Sequence, residues 1–133
     1  MSATPRRAAL LASLRDANAR FREALAQPKS GFLRDASIQR FEFTFELFLK
    51  NLKAAAEEAG LAAVSPRDSL RMAFRLGLID EEPAFFRMIE DRNLTSHTYR
   101  EQTAEEIYSR LPRYAALIGE CIGRLEERMR QGA

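Results

Sequence analysis

The sequence predicts an all-α protein, an antiparallel up-and-down bundle of four main helices with one short extra helix. Apolar residues recur at three- and four-residue spacing through most of the chain. Valine occurs once, at Val64, and no stretch alternates with a period of two, so strand signals are almost absent. Helix-start signals, a capping residue followed by proline or an acid, punctuate the pattern.

The first helix is expected to start at Thr4 (cap) and Pro5 (first turn). Leu10 or Leu11, Leu14, Phe21 and Leu25 form its inner face, and Gln27-Pro28-Lys29-Ser30-Gly31 ends it. A second and longer helix runs from about Ala36 to Ala59 with a stripe of Ile38, Phe41, Phe45, Phe48, Leu52 and Ala55, stopped by Gly60. Phe43, Leu47 and Leu49 lie off that stripe, as expected of a helix packed on several sides or across a dimer seam. Glu42 and Glu46 form a short acidic patch on the remaining face; their plain reading is solvated carboxylates, with Glu46 pairing Lys50.

Ser65-Pro66-Arg67-Asp68 places a cap, a first-turn proline and a first-turn acid together, starting a short helix through Leu70, Ala73 and Phe74 to about Gly77. Asp80 reads as the next cap, with Phe85, Phe86 and Ile89 on the inner face of a helix ending near Arg92 or Asn93. The stretch Asn93-Leu94-Thr95-Ser96-His97-Thr98-Tyr99 is rich in residues that prefer caps and turns and is expected to be irregular. Thr103 and Glu106 read as a capping box opening a last helix marked by Ile107, Leu111, Tyr114, Ile118, Cys121, Ile122 and Leu125. Pro112 is expected to kink or divide it, and the tail from Arg130 to fray.

At 133 residues, 46% hydrophobic and 30% charged, the chain fits one globular domain over residues 1–133 with a core that needs no staples. The lone Cys121 excludes an intrachain disulfide and points to a reducing compartment, so a cytoplasmic location is expected. The apolar run Ala8 to Ala12 is far short of the ~20 residues of a membrane span, and neither signal peptide nor anchor is expected. Twenty-one basic against 19 acidic residues give a net charge of only +2, so any RNA contact must be local. Lys29, Lys50 and Lys53 are the only lysines; the arginine bias fits the codon usage of a GC-rich genome as well as planar phosphate recognition.

Chemistry-bearing residues converge between the fourth and last helices. His97 is the only histidine, and Asp91, Arg92, Asn93, Thr95, Ser96, Tyr99 and Glu101 surround it in sequence on a helix-terminal loop, where binding residues concentrate. Positions five apart on a helix point about 140° away from each other. Arg92 and His97 therefore converge only where the chain leaves the helix between them, or where a second copy brings them together. An arginine and a histidine without a metal cluster suit cleavage of RNA by its own 2′-hydroxyl, the histidine moving protons and the arginine stabilising charge on the phosphate. The plain alternative is a set of polar groups that cap helix ends. No Gly-rich phosphate loop, paired metal-ligand histidines or nucleophile elbow occurs, which excludes a self-contained nucleotidyltransferase or kinase. Neither a metal nor a cofactor is expected.

Gln39-Arg40-Phe41-Glu42-Phe43-Thr44-Phe45-Glu46, Ser65-Pro66-Arg67, Glu90-Asp91-Arg92-Asn93-Leu94-Thr95-Ser96-His97-Thr98-Tyr99 and Thr103-Ala104-Glu105-Glu106-Ile107-Tyr108 together resemble the nucleotidyltransferase substrate-binding protein family, a branch of the HEPN superfamily. The likeness runs in order over about residues 10–120, and Arg92 to Tyr99 is similar to the HEPN signature of Arg, four to six residues, His, one residue, Tyr. The resemblance implies a HEPN-like bundle that forms a homodimer with the Arg and His motifs facing each other, as one component of a bacterial toxin-antitoxin pair with a separate minimal nucleotidyltransferase. It further implies Arg92 and His97 as catalytic residues of a metal-independent ribonuclease and Asn93 as a supporting residue. Asp91, Glu42 and Glu46, which lie within the matched segments, are further supporting or binding candidates. Tyr99 is the implied site of silencing adenylylation, with ATP and Mg²⁺ held by the partner. The alternative is a non-catalytic subunit that presents substrate or a docking surface, with Arg92, Asn93 and His97 as ligand contacts.

Overall fold

The computed structural model describes residues 4–132; the N-terminal three residues and Ala133 lie outside it. Five α-helices follow in order: α1 (Pro5–Leu25), α2 (Gly31–Glu58), α3 (Pro66–Arg75), α4 (Pro83–Leu94) and α5 (Glu101–Arg130), with a 3₁₀ turn, Thr95–His97, between the last two. Cross-helix partners fix their directions. Asn51 Nδ2 donates to the Leu10 carbonyl and Arg40 Nη1 to the Arg20 carbonyl, so α1 and α2 are antiparallel. The Phe48 ring stacks on Phe85 while Glu46 meets Arg92, so α4 runs against α2. Asp91 meets Arg110 and Asp80 meets Arg124, so α5 runs against α4. α1, α2, α4 and α5 therefore alternate up and down, and α3 is the short extra helix, as the sequence pattern predicts.

Local chemistry explains most boundaries. Thr4 and Ser30 cap α1 and α2 by accepting from Arg7 N and Leu33 N, and Ser65 with Asp68 forms a complete capping box on α3. Gly60 and Gly77 adopt φ of +76°, and Leu61 N and Leu78 N reach back to Ala56 O and Ala73 O, closing α2 and α3 with glycine-dependent C-caps. The core is a run of aromatic rings, Phe21, Phe41, Phe45, Phe48, Phe85 and Tyr114, each at most 3% exposed, with neighbouring centroids 5.4–6.2 Å apart. Complete burial of one such ring contributes about 1.5–3 kcal/mol.

Several expectations are corrected. α2 begins at Gly31 rather than Ala36, because the Ser30 side chain accepts from Leu33 N and caps the helix there. Asp80 does not cap α4: it binds Arg124 through both oxygens at 3.0 Å, and Glu82, next to Pro83, accepts from Ala84 N instead. α5 starts at Glu101, not Thr103. Arg34, 6% exposed on α2, holds Glu101 and Glu105 and fixes that first turn, while Glu106 accepts from Gln102 rather than closing a box. Pro112 sits inside α5 without dividing it; it lies on the exposed face, where water can reach the backbone group it leaves unpaired. In α3, Leu70 and Ala73 are buried while Phe74 is 51% exposed. α5 continues to Arg130, followed by a turn at Gln131 and Gly132; the last residue of the expected frayed tail is outside the described residues. No described helix is long and apolar enough to cross a membrane.

Candidate functional site

The junction between α4 and α5 is more ordered than its composition predicts. α4 continues through Asn93 and Leu94, and the three hydroxyls that favour turns prolong the winding. Thr95 Oγ1 donates to the Arg92 carbonyl (2.6 Å), Ser96 Oγ to the Asn93 carbonyl (3.3 Å) and Thr98 Oγ1 to the Thr95 carbonyl (3.0 Å). These bonds satisfy carbonyls that a helix end leaves orphaned. The result is a hydrogen-bonded 3₁₀ corner rather than an irregular loop.

That corner separates the predicted residues into an outer and an inner set. Asn93 and His97 are exposed, and Tyr99 is 75% exposed. The His97 and Tyr99 rings meet edge-on at 6.0 Å, and the Arg100 guanidinium lies 5.7 Å over the Tyr99 ring. Arg92, one turn earlier and half-buried, turns toward α2: Nη1 is 3.3 Å from Glu46 Oε1 and its guanidinium carbon is 5.8 Å from the Phe45 ring centroid. Glu46 thus takes Arg92 as its partner instead of the expected Lys50. Glu42, one turn before it and half-buried, has no ion-pair partner among the described residues. Among those residues no hydrogen bond or ion pair joins Arg92 to His97: Arg92 turns to Glu46 and His97 meets Tyr99.

Asp91 belongs to the inner set and is 1% exposed. Arg110 grips it bidentately, Nε at 2.7 Å and Nη2 at 2.8 Å, and Tyr114 Oη donates at 2.5 Å. Burial first, and then the Asp91 carboxylate, push the Tyr114 phenol far above its ordinary value, so it remains a donor. The hydrogen bond to Asp91 likewise holds the Arg110 proton more firmly than usual. Asp91, expected as a supporting or binding residue, is therefore a strut that locks α4 onto α5 next to Arg92. Arg110 was not anticipated by the sequence reading, and Tyr114 was anticipated only as core. The available signal was a guanidinium four residues before a tyrosine on the inner stripe of one helix.

The outer set can donate from guanidinium and amide groups, exchange a proton at an exposed imidazole, and offer an accessible phenol. No group of three or more His, Cys, Asp or Glu residues able to hold a metal ion occurs among the described residues.

The family described as nucleotidyltransferase substrate binding protein like matches residues 9–127. Probable ribonuclease HepT from Haemophilus influenzae is 35% identical over 80 residues, 56% of this chain and 55% of that protein, so the match spans about half the length of this curated relative. A crystal structure of a protein from Thermus thermophilus superposes with a TM-score of 0.79 at 43% identity, covering 84% of this chain and 98% of the other. HI0074 of Haemophilus influenzae, whose structure reveals the fold of a substrate binding domain of a nucleotidyltransferase, superposes with a TM-score of 0.80 at 26% identity, covering 87% and 98%.

Proposed function

Because the chain belongs to the nucleotidyltransferase substrate binding protein like family, we propose that it is the HEPN component of a bacterial toxin-antitoxin pair. It partners a separate minimal nucleotidyltransferase and carries a metal-independent RNA-cleaving site in the cytoplasm. The observation that supports this most is the gathering of half-buried Arg92 and exposed His97 and Tyr99 at one hydrogen-bonded corner. A homodimer seam along Phe43 to Leu47 and the corner faces Arg92 of one copy toward His97 of the other. Phe43 (58% exposed) and Leu94 (40%) supply its apolar surface.

In this mechanism the 2′-oxygen attacks the adjacent phosphorus and His97 takes its proton. The bond from phosphorus to the 5′-oxygen breaks, that oxygen receives a proton from the imidazolium, and a cyclic phosphate remains. Arg92 donates to the non-bridging oxygens as charge builds there. Adenylylation of the exposed Tyr99 by the partner places a phosphate beside His97 and between Arg92 and the RNA, closing the site by bulk and by charge. The test is incubation of purified protein with single-stranded RNA in excess EDTA: cyclic phosphate ends support the reading, and intact RNA overturns it.

The second reading, a non-catalytic subunit that presents substrate or a docking surface, draws on the engagement of Arg92 by Glu46 and its lack of contact with His97. It predicts nucleotidyltransferase binding with no RNA cleavage.

A further inference from the structure

A groove of about 940 Å³ lies between the start of α1 and the end of α2. Arg6 and Arg7 of α1 and Lys50, Lys53, Glu57 and Glu58 of α2 line it, four cations and two carboxylates. Its local charge of +2 equals that of the whole chain.

Arg7 is an independent indication that the groove awaits an anion. It is 7% exposed; its Nε donates to Glu58 Oε2 at 2.6 Å, while Nη1 and Nη2 are buried without a hydrogen-bond partner. A guanidinium has five N–H donors, and a 41% exposed carboxylate at one of them leaves most of its capacity unused. α1 also has no acid in its first turn, so Arg6 and Arg7 add positive charge to the end of the helix that prefers negative charge.

We propose that this groove binds the sugar-phosphate backbone of an RNA strand and holds it for the corner site, an inference that rests on the reading of that site as RNA-cleaving. No aromatic ring lines the groove, so it recognises phosphates rather than stacking bases. Its lysines also lead to the corner: Glu46, Lys50 and Lys53 follow at positions i, i+4 and i+7 on one face of α2, and Glu46 is the partner of Arg92. The distance from Glu46 to Lys53 along the helix is about 10 Å.

The test is fluorescence anisotropy of a labelled single-stranded RNA with protein carrying His97→Ala, which binds without cleaving. A second protein adds Lys50→Gln and Lys53→Gln; both lysines are exposed, so the fold is not at risk. The expected result is a roughly tenfold loss of affinity near 0.1 M salt, and a log–log salt slope smaller by about 1.4, about 0.7 for each lost phosphate contact. Single-stranded DNA of the same length should behave alike, because phosphate contacts do not read the 2′-hydroxyl. Unchanged affinity and slope in the lysine variant, or no RNA binding at all, overturns the proposal. So does loss of nucleotidyltransferase binding with RNA binding intact, which assigns the groove to an acidic protein surface. Groove-dependent binding by a protein that cleaves no RNA refutes the cleavage reading alone; cleavage with a groove-independent affinity refutes the groove alone.

Discussion

Arg92 Nη1 stands 3.3 Å from Glu46 Oε1, a contact that ties the end of α4 to the middle of α2 and holds the guanidinium against the Phe45 ring. Glu46 is 57% exposed, so the pair is worth about 1 kcal/mol or less. Glu46→Gln should leave the melting temperature nearly unchanged and free Arg92 for phosphate, raising the RNA cleavage rate by up to about fivefold. Parallel thermal melts and single-turnover rates check this. A slower variant makes Glu46 a positioning residue instead.

Removing the strut should cost far more than removing the surface pair. Asp91→Ala leaves Arg110 half-buried without its partner and deprives Tyr114 of its acceptor, which predicts a loss of about 3–5 kcal/mol by denaturant unfolding. Tyr114→Phe, which removes one hydrogen bond, should cost about 1–3 kcal/mol.

Alkaline stability reports two buried groups. Burial pushes the Cys121 thiol from 9.0 up to about 12, and Tyr114 rises from 10.0 for the reasons given above. A raised folded value means that the folded chain keeps protons the unfolded chain gives up. Their contribution is complete below pH 9 and falls as pH climbs past 9 for Cys121 and past 10 for Tyr114. Melts across pH 8–11 should therefore decline about from pH 9 upward, less steeply above pH 10 in Tyr114→Phe. Cys121 should resist alkylation until the protein is denatured.

The phenol on the corner makes a separate prediction. Incubation with a nucleotidyltransferase partner, ATP and Mg²⁺ should add a nucleotide to the peptide containing Tyr99, located by mass spectrometry. Tyr99→Phe should abolish labelling; persistent labelling assigns modification elsewhere.

Helix existence was legible because it depends on short-range chemistry. Thr4, Ser65-Pro66, Gly60 and Gly77 act on backbone groups within a few residues, and they stand where the spacing predicts. The misread boundaries depend on distant partners: Arg34 sets the start of α5 from 67 residues away, and Arg124 draws Asp80 off from 44 residues away. The site residues were visible as types, but their directions were not. Asp91 turns inward only because Arg110 and Tyr114 approach from α5, and Arg92 turns toward α2 only because Glu46 and Phe45 lie beside it.

Mixing two inactive variants tests most directly whether Arg92 of one copy works with His97 of another. Light scattering should first give twice the 15.1 kDa of a single chain, and Phe43→Glu should shift it toward the monomer. Arg92→Ala and His97→Ala should each abolish cleavage of RNA in EDTA with the helical circular dichroism unchanged. When the two are combined and exchanged, about half of the dimers pair one chain of each kind, and each of those has one intact site of two. The account predicts recovery of about a quarter of the native rate; a mixture as inactive as its parts, or either variant alone cleaving at the native rate, contradicts it.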